Sequence, residues 1–240
     1  MELSLLGGFK LTDEGRVIDV PEGAQRLLAF LGLSRTSALR AKVAGTLWPD
    51  ATDKQSMGSL RSTLWRLQGS GYRAIDVKPA TLTLAIEVSV DFEDAIALAQ
   101  LLISDTAEID GDHATWVDLF SSDLLPEWYE DWTQGEAERW RQLRLHALEA
   151  VARRLRDQGR YPDALAAALA AVSVDPLRET AHRELIKVHL AEGNPSEAIR
   201  AFDRYCHRLF EELGLEPSQE LRELVSAHSR TGAEHPHYVL

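Results

Sequence analysis

Between residues 54 and 68 the polar side chains are hydroxyls and amides with two guanidinium groups and no carboxylate. They are Gln55, Ser56, Ser59, Ser62 and Thr63, flanked by Arg61 and Arg66. These groups donate to base edges and hold phosphates, whereas a helix surface meant only for water mixes charges of both signs. The chemistry they offer is non-covalent recognition of a polyanion. Met57, Leu60, Leu64 and Leu67 recur at spacings of three and four, which places them on one side of a helix, opposite the polar set.

Other residues able to do chemistry lack the company they would need. Cys206 adjoins His207, but adjacent helical residues point about 100° apart, so the pair makes a poor thiolate site. Asp105, Glu108, Asp110, Asp112, His113 and Asp118 sit in an acidic stretch without the spacing or closing glutamate of a calcium loop, and a solvated loop is expected there. His113 reads as a surface histidine, and His146 has no partner for a triad. Gly7-Gly8 lacks the following helix and lysine of a phosphate loop. No catalytic residue, metal site or cofactor is expected.

The elements that must hold the 54–68 helix come in a recognisable order. Residues 1–11 alternate as two strands around a glycine interruption, residues 12–16 turn, and 17–20 resume extended chain. Two apolar helices follow, around residues 25–33 and 40–48, with Pro49-Asp50 ending the second. Gly69-Ser70-Gly71 ends the third, and strands at 72–77 and 81–85 flank a turn at Lys78-Pro79-Ala80. Sheet, three helices and hairpin make a winged helix-turn-helix. Its third helix enters the major groove while the wing, with Arg73 and Lys78, approaches backbone or minor groove.

Charge is unevenly spread over the 240 residues. Residues 1–90 carry 11 Lys and Arg against 9 Asp and Glu, and residues 91–240 carry 15 against 29. An acidic C-terminal half is repelled by phosphates and is expected away from them. A single cysteine excludes an internal disulfide. No apolar run approaches the roughly 20 residues needed to cross a bilayer. The start of the chain has no basic stretch before an apolar one, so a cytoplasmic location is expected.

The runs Leu5-Leu6-Gly7-Gly8-Phe9, Gln25-Arg26-Leu27-Leu28-Ala29, Leu47-Trp48-Pro49-Asp50 and Leu60-Arg61-Ser62-Thr63-Leu64-Trp65-Arg66-Leu67 resemble the DNA-binding half of the Streptomyces antibiotic regulatory protein family. These are bacterial transcription activators with an OmpR-like N-terminal domain. The resemblance implies that Ser59, Ser62, Thr63 and Arg66 lie on the recognition face, and that the loop 49–53 faces RNA polymerase. Arg61, Arg73 and Lys78 would add phosphate contacts. This chain departs from many relatives at Met57-Gly58 and at Gln68, where arginine is frequent. Gly58 costs about 1 kcal/mol of helix propensity relative to alanine.

The second half is helical. Asp91 reads as the N-cap of a helix over 92–103, with Asp94 at the third position, and no Gly/Ser linker precedes it, so the two domains are expected to pack together. Trp128 and Trp132, four apart, are expected to share a helix face, followed by a long helix over 134–158. Leu124-Leu125-Pro126 through Trp132 and the run Arg141 to Ala150 resemble the bacterial transcriptional activator domain of the same family. Gly159-Arg160-Tyr161-Pro162-Asp163-Ala164-Leu165 recurs as Gly193-Asn194-Pro195-Ser196-Glu197-Ala198-Ile199, an offset of 34 residues, which is the tetratricopeptide period. A helix near 218–227 would cap the stack. Stacked repeats of this kind present a concave surface to a partner.

The expected fold is an α+β winged helix-turn-helix domain over 1–90, an all-α tetratricopeptide-like domain over 91–230, and a flexible tail over 231–240. The expected function is a sequence-specific DNA-binding transcriptional regulator and activator, not an enzyme. Its expected partners are double-stranded promoter DNA, RNA polymerase and a second copy of the chain, with no membrane. The alternative is a protein-binding adaptor whose winged helix has lost DNA binding.

Overall fold

The computed structural model describes residues 1–34, 36–69, 73–104 and 112–229. The expectations resting on Ser70, Gly71 and Tyr72, on Asp105, Glu108 and Asp110, and on the tail lie outside the described residues. The chain forms two compact units, Met1–Leu98 with Ser122–Trp140, and Ala99–Ser121 with the chain from Arg141 onward.

In the first unit β1 (Glu2–Ser4), β2 (Lys10–Asp13) and β3 (Arg16–Val17) precede α1 (Glu22–Ser34). Then come β4 (Ala38–Leu39), α2 (Arg40–Leu47), α3 (Asp53–Gly69), β5 (Ile75–Val77), β6 (Thr81–Leu84) and β7 (Ser89–Val90). The first sheet has the order β3-β2-β1-β7. Leu3 pairs antiparallel with Leu11 and parallel with Val90, and all three side chains are buried. Gly32 explains how closely α1 lies on this sheet. A Cβ there would stand 3.1 Å from Leu3 Cδ2 and 3.2 Å from Leu5 Cδ1, close enough to push on both side chains.

The second sheet has the order β4-β6-β5, with Ala38 opposite Leu82 and Val77 also opposite Leu82. The hairpin is therefore anchored on a two-residue strand just ahead of α2, which alternation along the sequence does not disclose. Leu27, Phe30 and Leu31 of α1, Val43 and Leu47 of α2, Leu60 and Leu64 of α3 and Leu82 of β6 close over one core.

The stretch that follows Ser122 departs from expectation. α6 begins only at Asp131 (Asp131–Asp157), so Trp128 and Trp132 do not share a helix face. Residues 122–130 instead run as irregular chain against the segment 5–7 that follows β1. Gly7 N–H donates to the Asp123 carbonyl (2.7 Å), Leu125 N–H donates to the Leu5 carbonyl (3.0 Å), and Leu6 bridges Leu124. Trp128 stacks on Phe9 and meets the edge of Trp132, which itself packs edge-on against Phe30. Arg26 pairs with Glu130. Trp128 and Trp132 are thus half-buried against the first unit, whereas Tyr129 between them stays exposed at 84%.

α4 (Asp91–Ser104) starts where β7 ends. The Asp91 carboxylate reaches across to the residues just after β1, accepting from Leu5 N–H at 2.8 Å and Leu6 N–H at 3.3 Å. Burial pushes its pKa above the ordinary carboxylate value, outweighing the amide donors that pull it down.

In the second unit the acidic stretch is not simply loop. α5 (His113–Ser121) buries Trp116 and Phe120, four residues apart. Its start is capped by Asp112, which accepts from Ala114 N–H (3.1 Å) and Thr115 Oγ1 (2.7 Å), and these bonds hold the Asp112 carboxyl below its usual range. His113, expected at the surface, is half-buried beside Trp116 and bonded to Arg160 Nη1 at 3.0 Å.

α7 (Tyr161–Val174), α8 (Glu179–Ala191), α9 (Pro195–Leu213) and α10 (Gln219–Ser229) form the helical repeats. Gly159 and Gly193, 34 residues apart, take the same left-handed conformation (φ 74° and 82°), which makes the turn into each first helix. Ala164 and Ala198 are fully buried at the equivalent crossings. Polar ties lock the stack. Glu149 accepts from Arg178 (2.7 Å) and Thr180 (2.6 Å), and Glu184 pairs with Arg156 (2.8 Å). His182 donates through Nε2 to the Pro176 carbonyl (2.9 Å) and stacks on Tyr205 at 4.3 Å, and burial lowers its pKa.

Candidate nucleic-acid interface

The start of α3 is set by a reciprocal cap. Gln55 N–H donates to Thr52 Oγ1 (3.4 Å), while Gln55 Oε1 accepts from Thr52 N–H (3.0 Å) and Thr52 Oγ1 (2.8 Å). This is the capping box Thr-x-x-Gln, written in the sequence at residues 52–55, although residue type alone makes Gln55 a groove donor. It fixes the helix immediately after the exposed loop residues Pro49 and Asp50.

The inward face of α3 is wider than the four apolar residues. Ser56 and Thr63 are buried as well, at 3% and 9% exposure. Thr63 faces α1, where a Cβ on Gly23 would lie 3.5 Å from Thr63 Oγ1. Thr63 stands three residues after Leu60 and four before Leu67, so the same spacing that buries those leucines buries it. The expectation that Thr63 meets DNA is corrected on that ground, and Ser56 likewise leaves the polar face. Ser59 is half-buried at the edge.

Arg61, Ser62 and Arg66 are exposed together on the outward face. Trp65 stands with them at 75% exposure, in the stripe Gly58, Arg61, Ser62, Trp65, Arg66, Gly69. Residue-type reasoning passes over this tryptophan, although its spacing of four from Arg61 places it there.

On the hairpin, Arg73 and Lys78 are exposed, with Lys78 at the turn where its N–H donates to the Thr81 carbonyl (2.9 Å). A cleft of about 550 Å³ separates the last turns of α3 from β5, lined by Leu64, Leu67, Gln68, Arg73, Ile75, Asp76 and Val77. Gln68 and Arg73 thus meet at the helix–wing junction. Among the described residues, Lys54, Arg61, Arg66, Arg73 and Lys78 form no ion pair with a carboxylate. Cations left unneutralised on a helix and an adjoining wing can serve a polyanion.

Covalent chemistry has less support. Burial and the neighbouring Asp203 push the Cys206 thiol above its ordinary pKa, away from thiolate. Among the described residues no three His, Cys, Asp or Glu side chains come together to hold a metal. No helix among them is long and apolar enough to cross a membrane.

Residues 92–227 match the family described as the bacterial transcriptional activator domain. No curated protein matches the chain in sequence. The fold is similar to that of Mycobacterium tuberculosis EmbR, whose structure was determined in complex with a low-affinity phosphopeptide. The TM-score is 0.74 at 19% identity, over 96% of this chain. The chain spans 65% of that one. The matched family is thus one of bacterial transcriptional activators. The chain belongs to the bacterial transcriptional activator domain family.

Proposed function

We propose that this regulator binds promoter DNA in a sequence-specific manner through α3 and the hairpin, and activates transcription by contacting RNA polymerase. The observation that carries the reading is the outward face of α3, where Arg61, Ser62 and Arg66 are exposed with no carboxylate among the helix residues after Asp53. In this reading Ser62 and Arg66 meet base edges. Arg61, Arg73 and Lys78 hold phosphates, Ser59 supports the helix edge, and the exposed loop 49–53 is the surface offered to polymerase. The site is a cytoplasmic one, and it needs neither metal nor cofactor. One winged helix with few free cations binds weakly, so two copies of the chain on paired half-sites supply the affinity.

The test starts from duplexes selected out of a random pool by the wild-type chain. On the best of these, Arg66→Ala weakens binding at fixed salt by about 5- to 100-fold, the worth of a base-edge or phosphate contact. The salt dependence assigns its role. If Arg66 holds a phosphate, its removal reduces the slope of log K against log salt by about 1, whereas if it reads a base the slope stays nearly unchanged. If the wild type selects no duplex even at low salt, the chain acts as a protein-binding adaptor instead.

A further inference from the structure

We infer that Trp65 is a specificity-determining residue, reading the 5-methyl group of a thymine in the major groove. The inference rests on the proposed DNA-binding function and goes beyond it by naming a contact.

The indole is not part of the fold's core. α3 packs inward through Leu60, Leu64 and Leu67, while Trp65 is 75% exposed on the other face. A large aromatic left in water at a fixed helical position forgoes its burial until a partner covers it, and such residues mark contact surfaces. Its surroundings select the partner. Ser62 and Arg61 lie one turn before it and Arg66 follows it, and neither arginine is neutralised by a carboxylate among the described residues. That setting suits a polyanion and suits an apolar protein surface poorly. Gly58 and Gly69 end the stripe. Among the described residues nothing lies within 4 Å of a Cβ position at Gly69, and at Gly58 only the flexible end of Arg61 comes to 4.0 Å, so neither glycine adds bulk to the stripe.

Within the major groove the thymine methyl is the one apolar group on a base edge, and side chains that cannot exchange several hydrogen bonds recognise it by contact. The hydroxyl of Ser62 and the guanidinium of Arg66 read polar edges, so the indole, on the other side of Ser62 from Arg66, supplies the apolar element of the readout.

The experiment selects duplexes from a random pool with wild type, Trp65→Ala, Trp65→Phe and Arg66→Ala. Thermal melts of each protein verify folding, which an exposed position should leave intact. The expected result is a wild-type motif with a thymine position that Trp65→Ala no longer prefers, its other positions being kept. On the selected duplex Trp65→Ala binds about tenfold more weakly, the worth of covering half an indole, and Trp65→Phe recovers part. Replacing that thymine by deoxyuridine, which removes only the methyl group, weakens wild type about fourfold and leaves Trp65→Ala unchanged. If Trp65→Ala selects the same motif with the same affinity while Arg66→Ala loses it, the Trp65 assignment is overturned and DNA binding stands. If deoxyuridine weakens wild type and Trp65→Ala equally, another residue reads the methyl and the assignment is again overturned. If wild type enriches no motif, both the assignment and the DNA-binding reading fall.

Discussion

Replacing Asp91 by alanine should loosen the first unit at the seam between the end of its first strand, at Leu5 and Leu6, and the start of α4. The carboxylate accepts from Leu5 N–H at 2.8 Å and from Leu6 N–H at 3.3 Å. Leu5 is fully buried, so its amide would find no water in place of the missing acceptor, at a cost of about 1–3 kcal/mol. Leu6 is half-buried and recovers part of its loss from solvent. Removing an anion from the first turn of α4 adds about 0.3–1 kcal/mol, and relief of the buried charge offsets some of the total. The net expectation is about 2–3 kcal/mol by urea denaturation at neutral pH. Five of the six tryptophans lie in the first unit, so their fluorescence reports its unfolding. Asp91→Asn keeps one acceptor and loses the charge, and should cost about 1 kcal/mol or less. The pH dependence adds a sign. Burial raises the Asp91 pKa above its ordinary 3.8, so the native state holds this proton more tightly than the unfolded chain. The stability linked to Asp91 is fully present below that ordinary value and is lost as pH rises through the folded-state one. Wild type should therefore gain on Asp91→Asn as the solution is acidified from neutral toward pH 4. An alanine variant within about 0.5 kcal/mol of wild type would refute the reasoning.

Three further perturbations test the packing around α3 and the helical repeats. Thr52→Ala should cost about 1 kcal/mol and speed hydrogen exchange of the Gln55 amide, while Thr52→Ser keeps both near wild type; equal behaviour of the two variants would show the cap to be idle. The same glycine-to-alanine change should have opposite signs at two sites. Gly58→Ala should raise stability by about 0.5–1 kcal/mol, because only a flexible arginine end approaches its Cβ position, whereas Gly32→Ala should cost about 1–3 kcal/mol by crowding Leu3 and Leu5. A loss at both sites, in thermal or urea unfolding, would contradict the open surroundings of Gly58. In the second unit burial depresses the His182 pKa, assisted by Arg208 and Arg204 and opposed by its bond to the Pro176 carbonyl and by Asp175. Stability linked to this ring is present at neutral pH and is lost as pH falls from 6.5 toward the lower folded value, since the unfolded chain takes up the proton first. His182→Gln keeps a donor for Pro176 and does not titrate, so its stability relative to wild type should rise on acidification through that window. Parallel pH curves would show that His182 is not held neutral by burial.

Much of the framework is legible along the chain because it is periodic. The leucines of α3 recur with the helical period, and Gly159 and Gly193 announce a repeat that their shared left-handed turns explain. Short and non-local features are not legible. β4 and β7 are two residues each, too short to alternate, and β7 joins β1 through a parallel pairing of residues 87 apart. α5 does carry a signal, in the Asp112 cap and the Trp116–Phe120 spacing, but the acidic composition around it suggests a loop. Thr63 and Ser56 show a different failure. Their spacing from Leu60 and Leu67 puts them on the buried side, yet residue type alone assigns their hydroxyls to the groove. A polar side chain of that size is tolerated inside a helix interface, so geometry outranks chemistry there.

The formal charge of −12 bears on DNA binding less than the pairing of the charges does. In the second unit Arg141, Arg156, Arg160, Arg178, Arg183, Lys187, Arg200 and Arg222 each meet a carboxylate, most of them tying one helix to another or one turn to the next. A guanidinium already neutralised by a carboxylate gains little from a phosphate and must first give up its partner. The cations of α3 and the hairpin give up nothing, since Lys54, Arg61, Arg66, Arg73 and Lys78 face no carboxylate partner among the described residues. A count over the whole chain therefore understates the positive charge available to a duplex in the first unit. Counterion release depends on the number of cations that reach phosphates, not on net charge. An acidic regulator can bind DNA provided that its acids are spent on its own arginines and kept off the reading helix, and the acid-free run from Lys54 to Gln68 meets the second condition.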